Sequence, residues 1–138
     1  MNNILITSAG RRVSLVRFFK TELTAIFPDA KVFTTDLHPD FAAACAVSDG
    51  AFAVPRVTDE TYIAQLLEIA RENGVKLIIP TIDTELLTLS KSIDTFREHG
   101  IEIVVSAPDL VTVFRDKRQT HDFFKARSIG HAREYDRN

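Results

Sequence analysis

Cysteine occurs once, at Cys45. No disulfide can form within the chain, which fits a reducing compartment. A basic surplus is missing too. The 17 Lys and Arg stand against 19 Asp and Glu, a net charge of −2. That balance argues against broad electrostatic binding of nucleic acid, so any phosphate binding has to be local. No apolar stretch approaches the length of a membrane span. The N-terminus runs straight into a short strand, without the basic and long apolar regions of a signal peptide. The expectation is a soluble cytoplasmic protein with no membrane partner. His38, His99, His121 and His131 lack a metal-site spacing such as H-x-x-x-H, and no metal is assigned to them. Internal repeats, low-complexity segments and interdomain linkers are also absent.

What is present is an alternation of apolar runs and helical periods over 138 residues, enough for one domain with a proper core. Ile4-Leu5-Ile6 reads as a strand buried on both faces. Val16, Phe19, Leu23, Ile26 and Phe27 then recur at helical spacing up to Pro28. Further strands are expected over 31–36, 51–55, 76–80 and 101–105. A short helical segment is expected over 41–47. Helices should open at Thr58-Asp59, run from Leu86 to Gly100, start again at Pro108, and restart behind Asp116. Five strands alternating with helices imply an α/β fold, a doubly wound parallel sheet with right-handed crossovers. Residues 1–138 form one Rossmann-like domain in this reading.

In such sheets ligands bind outside the carboxyl ends of the strands. Three turns there carry candidate residues. The first is Thr7-Ser8-Ala9-Gly10-Arg11-Arg12. Amides freed at a helix start make an anion site, to which Arg11 and Arg12 would add charge. The turn holds a single glycine, Gly10, and so is not the G-x-G-x-x-G dinucleotide fingerprint. A plain tight turn with two solvated arginines is the simpler reading. Asp36, at the end of the second strand, could bind a ribose hydroxyl or serve as a loop carboxylate. Thr81, Asp83 and Glu85 follow the fourth strand and could hold an amine, hydroxyls or a metal. Equally, Asp83 could cap the next helix and Glu85 favour its N-terminus. Asp116-Lys117-Arg118 could reach a phosphate or be a solvated, capped helix start.

Asn3 to Arg12, Val54-Pro55-Arg56-Val57-Thr58-Asp59, Ile79-Pro80-Thr81-Ile82-Asp83-Thr84-Glu85-Leu86 and Arg115-Asp116-Lys117-Arg118-Gln119-Thr120 together resemble ATP-grasp ligases. The nearest group is the one similar to the carbamoyl-phosphate synthase large subunit. The resemblance runs from Asn3 to about Tyr135. It implies the N-terminal, Rossmann-like domain that precedes the ATP-grasp fold. Such ligases phosphorylate a carboxylate with ATP and magnesium, and an amine then attacks the acyl phosphate. The resemblance puts Lys117 in the ATP pocket. It puts Gly10, Arg11, Arg12, Thr81, Asp83 and Glu85 on the substrate side of the cleft. It identifies no catalytic residue.

The ATP-grasp domain itself is missing from this sequence, and with it the nucleotide-holding lysines and magnesium carboxylates. A truncated chain, a fragment or a split gene product would account for that. The chain alone is then expected to be inactive, with the missing domain as its partner. Apolar surface left uncovered could pair two copies as a homodimer. Two other classes compete. One is an NAD(P)-binding oxidoreductase domain, supported by Asp36 and weakened by the missing glycines. The other is a non-catalytic ligand-binding module. Its obvious member, a phosphoacceptor receiver, wants aspartates where this chain has Thr7-Ser8.

Overall fold

The computed structural model describes residues 2–133 and 135. Met1, Glu134 and residues 136–138, which include the end of the polar tail expected beyond Gly130, lie outside the described residues.

Strand β1 (Asn3–Thr7) is buried along its whole length, as its apolar run requires. Helix α1 (Val13–Ile26) leads to β2 (Val32–Asp36). Two single 3-10 turns, Pro39–Phe41 and Cys45–Val47, stand where one short helical segment was expected. They lead into β3 (Gly50–Ala53). Then come α2 (Tyr62–Glu72), β4 (Val75–Pro80), α3 (Asp83–Lys91) and α4 (Ile93–Arg97). Strand β5 (Glu102–Ile103), α5 (Pro108–Arg115) and α6 (Lys117–Ala126) complete the chain. Every strand pairing is parallel, in the order β3-β2-β1-β4-β5. The expected α/β parallel sheet is therefore present. The chain moves outward from β1 to β3, then crosses back to β4 on the other side of β1. The switch point lies between β1 and β4.

Alternation along the strands divides the core in two. Ile4, Ile6 and Val32 face α1 through Val16 and Leu23, together with Ala44 and Cys45. Leu5, Phe33 and Ile78 face the other way, onto Leu66, Leu89 and Phe96. Helix α5 packs beside α3, and α6 beside α5. At the amino-terminal rim the buried Asn3 accepts from Lys31 N (2.9 Å) and donates to Asn73 O (2.7 Å). That one side chain ties β1 to the connections preceding β2 and β4. Among the described residues no helix is long and apolar enough to cross a membrane.

Several boundaries differ from the sequence expectation. Helix α2 starts at Tyr62 rather than at Thr58-Asp59. Asp59 Oδ1 instead accepts from Thr61 N (2.9 Å) and Thr61 Oγ1 (2.7 Å), a side-chain turn that delays the helix. The helix expected from Leu86 to Gly100 is broken at Ser92, whose φ of −105° and ψ of 5° leave the helical region. Its hydroxyl donates back to Thr88 O (3.0 Å), the local competition that Ser offers a helix. Strand β5 stops after Ile103, because Val105 N turns back onto Ile103 O (2.9 Å). Strand β3 begins one residue early, at Gly50, and stops short of Pro55.

Phe96 is fully buried among these apolar side chains, so it anchors α4 to the sheet. Phe96→Ala is expected to lower stability by ~3–5 kcal/mol in urea denaturation. Phe41→Ala, at a side chain 91% exposed, should stay within about 0.5 kcal/mol of the parent. Equal losses for the two variants would contradict this placement of the core.

Candidate functional site

The carboxyl ends of β1 and β4 meet at one buried carboxylate. Glu85, the third residue of α3, has no solvent exposure. Its Oε2 accepts from Ser8 Oγ (2.9 Å) and from Tyr62 Oη (3.0 Å). Its Oε1 accepts from Thr81 N (2.9 Å) and Ile82 N (3.3 Å). Four donors from the β1 turn, the start of α2 and the β4 turn thus converge on two oxygens. An ionised carboxyl is acceptor-only, which suits four donors and no acceptor. Burial, and then the Glu85 charge, push the Tyr62 phenol well above its ordinary range.

A second set of bonds joins the same two turns. Thr81 Oγ1 lies 3.0 Å from Thr7 O and 2.8 Å from Ser8 O, sharing its one proton between them. Arg12 Nη2 donates to Thr81 O at 3.4 Å across the exposed mouth. Ser8 has a φ of +49°, a region that non-glycine residues seldom occupy, and its Glu85 bond holds it there. Gly10 has a φ of +49° as well. A Cβ there would meet nothing nearer than 3.7 Å, so glycine answers the backbone conformation rather than a lack of room.

Three amides of the first turn are engaged. Ala9 N donates to Thr35 O (3.0 Å), Gly10 N to Asp36 Oδ2 (3.0 Å) and Arg12 N to Ala9 O (2.9 Å). Asp36 Oδ1 also accepts from His38 N (3.1 Å). Asp36 thus clamps the turns after β1 and β2. Arg11 and Arg12, both exposed, bring positive charge to this turn.

Asp83 and Glu85 do not act as a pair. Asp83 is exposed, while Glu85 is buried beneath the loop. Nor is Asp83 the helix cap: Ile82 holds that position, and Glu85 accepts its amide from within the helix. Asp83 instead shares a cavity of about 500 Å³ with Val104, Ser106, Phe114, Arg115 and Lys117. A smaller cleft of about 190 Å³ opens over the strand ends beside Ser8, Leu37, Val54, Arg56, Tyr62 and Thr84. Asp116 caps α6 as expected, accepting from Arg118 N (2.9 Å) and Gln119 N (3.4 Å). Those backbone bonds hold its carboxyl below the usual range. Lys117, the next residue, borders the larger cavity. Among the described residues no group of three His, Cys, Asp or Glu could hold a metal ion.

Sequence reading passed over Tyr62, Ser8 and the meeting of His121 with His131, whose ring centres lie 4.3 Å apart. Tyr62 was the findable one. It shares the spacing of four with Leu66 and Ala70 on the buried face of α2, and a buried phenol needs a partner.

The family described as "PylC-like, N-terminal domain" matches residues 4–104. No curated protein matches the chain in sequence. Among solved structures, the fold is similar to the biotin carboxylase subunit of pyruvate carboxylase (18% identity, TM-score 0.64), covering 93% of this chain and 28% of that one. It is similar to the biotin carboxylase domain of Hydrogenobacter thermophilus 2-oxoglutarate carboxylase, in complex with MgADP, ADP and bicarbonate. There the identity is 16%, the TM-score 0.62, and the coverage 91% of this chain and 27% of that one. The complete multifunctional pyruvate carboxylase from Rhizobium etli also matches at 14% identity and a TM-score of 0.61, over 97% of this chain and 13% of that one. This chain therefore spans less than a third of the first of these relatives. At such identities the likeness establishes the fold.

Removing one donor from the buried carboxylate is expected to be felt in stability. Tyr62→Phe should cost ~1–3 kcal/mol in urea denaturation near neutral pH. The raised phenol also has a pH consequence. Above about 10 an unfolded tyrosine ionises while the folded Tyr62 keeps its proton. Its contribution is therefore complete below that pH and falls away as pH rises further. Tyr62→Phe should flatten the alkaline loss of stability. An unchanged alkaline slope would show that Tyr62 titrates in the folded state as in the unfolded one.

Proposed function

The chain belongs to the PylC-like N-terminal domain family and carries the pre-ATP-grasp fold of the biotin carboxylases, and from that premise we propose that it is the substrate-binding N-terminal domain of an ATP-dependent carboxylate–amine ligase. Within that class the motifs favour a ligase like the carbamoyl-phosphate synthase large subunit. The observation that carries the reading is the convergence at the switch point. Glu85 and Thr81 bind the β1 turn to the β4 turn, so that Arg12 stands at the mouth of the strand-end crevice.

In the proposed reaction a substrate carboxylate attacks the γ-phosphate of ATP, releasing ADP and forming an acyl phosphate. An amine then displaces phosphate and leaves an amide. Arg11 and Arg12 are the groups for the carboxylate, since a guanidinium can hold both oxygens at once. Asp83, exposed on the far side of the β4 turn, is the group for an amine or hydroxyl. Gly10, Asp36, Thr81 and Glu85 shape the site by fixing the two turns. Lys117 faces the nucleotide phosphates. Magnesium finds no fitting donor set among the described residues. Its ligands, with the main nucleotide clamp, are assigned to an ATP-grasp domain outside residues 1–138. That domain is the proposed partner, in the same polypeptide or as a separate one, and the setting is cytoplasmic. The exposed Phe18 and Ile26 of α1 offer apolar surface for it or for a second copy.

The chain alone should release ADP from ATP and magnesium far more slowly than ~1 per second, the low end of ordinary enzyme turnover. In the enzyme completed by its ATP-grasp domain, Arg12→Ala should lower turnover about tenfold to a hundredfold, from the loss of one charged hydrogen bond. Its urea midpoint should hardly move, because Arg12 is exposed. Near-normal turnover in Arg12→Ala would remove Arg12 from the substrate site. Fast ADP release by the chain alone would overturn the division of labour between the domains.

A further inference from the structure

Past β5 the chain encloses a space that its own side chains do not fill. Strand β5 ends early, with Val104 N still donating to Ile78 O (2.9 Å) and Val105 N turned back onto Ile103 O (2.9 Å). Ala107 (φ −56°, ψ 151°) and Pro108 then start α5, which packs beside α3. The cavity of about 500 Å³ lies among the end of β5, α3 and α5. Leu86, Val104, Val105, Leu110, Val111 and Phe114 wall it. Leu110 and Phe114 stand four apart on α5, as do Val111 and Arg115, which brings both pairs to one face of the helix. Val104 is 55% exposed and Phe114 42%, so apolar lining stays open to solvent. The Phe114 ring is braced by α6, its centre 5.2 Å from that of Phe123 and 5.8 Å from that of Phe124. This wall stands in place without a ligand.

Asp83, Arg115 and Lys117 also line the cavity. Among the described residues no hydrogen bond or ion pair engages any of these three side chains. Asp83 is the first residue of α3, yet capping does not use it, because Glu85 takes the amides of Thr81 and Ile82. A free carboxylate beside apolar walls matches a cation with an apolar body. Size argues the same way. An ammonia molecule is close to a water in bulk, and a water's share of liquid volume is ~30 Å³. The cavity exceeds that by on the order of ten times and falls within the ~300–1,000 Å³ of small-molecule sites.

We infer that this cavity takes the amine substrate by an apolar body. The ligand is a primary amine with a branched aliphatic or aromatic substituent, its ammonium on Asp83 and its substituent against Val104, Leu110 and Phe114. The inference rests on the ligase reading and narrows it, because ammonia and the shortest alkylamines would leave the walls uncovered. Each methylene moved from water onto such walls adds to affinity, whereas an exposed ion pair adds little. Affinity therefore comes mainly from the body, and orientation from the charge. Arg115 and Lys117 bring positive charge to the same cavity, which suits a place where the amine meets an anionic acyl phosphate.

The test titrates the full chain with isoamylamine near neutral pH. It follows the methyl resonances of Leu86, Val104 and Leu110 and the ring of Phe114. These should shift together and saturate, while Ile4 and Val32, packed on α1, stay in place. Methylamine should bind at least about tenfold more weakly, for want of the branched body. Isoamyl alcohol, the same body without the charge, should bind about twofold to fivefold more weakly. Asp83→Asn should bring the amine down to the alcohol and leave the alcohol unchanged. Phe114→Ala should weaken both. Asp83 is exposed, so its variant keeps the fold should Phe114→Ala fail to. Equal binding of methylamine, equal binding of the alcohol by the parent, an amine affinity unaltered in Asp83→Asn, or shifts that do not saturate would each overturn the inference. Such a failure is separable from failure of the ligase reading, which is judged by turnover of Arg12→Ala in the completed enzyme.

Discussion

A carboxylate with no exposure and, among the described residues, no cationic partner is costly unless every oxygen is matched by donors. Glu85 meets that condition with four, drawn from three parts of the chain. Losing any one geometry leaves a buried charge poorly solvated, so the carboxylate disciplines all three segments at once. The β1 turn accepts a left-handed Ser8. The β4 turn points two amides inward, and α2 begins with its phenol directed at the same point. The crevice at the switch point takes its shape from this requirement. The parallel sheet brings the turns to one rim, and the carboxylate decides how they sit there.

The two sides of the sheet's carboxyl rim are built differently. Around β1 and β2, Asp36 and neighbouring carbonyls engage the amides of Ala9, Gly10 and Arg12, and Arg11 and Arg12 add exposed positive charge. Beyond β5, Asp83 and Lys117 line one cavity together with Val104, Ser106 and Phe114. Basic residues then concentrate along α6 and its return segment. A ligase that brings a carboxylate substrate to a nucleotide phosphate needs separate places for two anions. The distribution of arginine and lysine in this domain supports that division.

The parallel sheet was legible because β1 and β4 are short apolar runs between turn residues, and because α1 and α2 repeat at helical spacing. Boundaries failed where one side chain competed with the backbone. The Asp59–Thr61 turn delays α2, and Ser92 interrupts the helix after β4. Candidate positions Arg12, Thr81 and Glu85 do meet at one place, but their roles were not legible. Local spacing suggested Asp83 and Glu85 as paired carboxylates. Burial separates them, because the partners of Glu85 lie up to 77 positions away. Contacts of that range leave no period in the sequence. The His121–His131 contact depends on a left-handed serine between them, which residue spacing does not reveal.

The central claim is that Glu85 couples the β1 turn to the β4 turn. Amide hydrogen exchange of the parent chain and of Glu85→Gln tests it most directly, because the amides of both turns are hydrogen-bonded and reported one by one. The substitution keeps the size of the side chain and removes its capacity to accept from four donors. Coupling predicts faster exchange at Ala9 and Gly10 as well as at Thr81 and Ile82, with the amides of β1 and β2 still protected. Acceleration confined to Thr81 and Ile82, with Ala9 and Gly10 exchanging as in the parent, would contradict it.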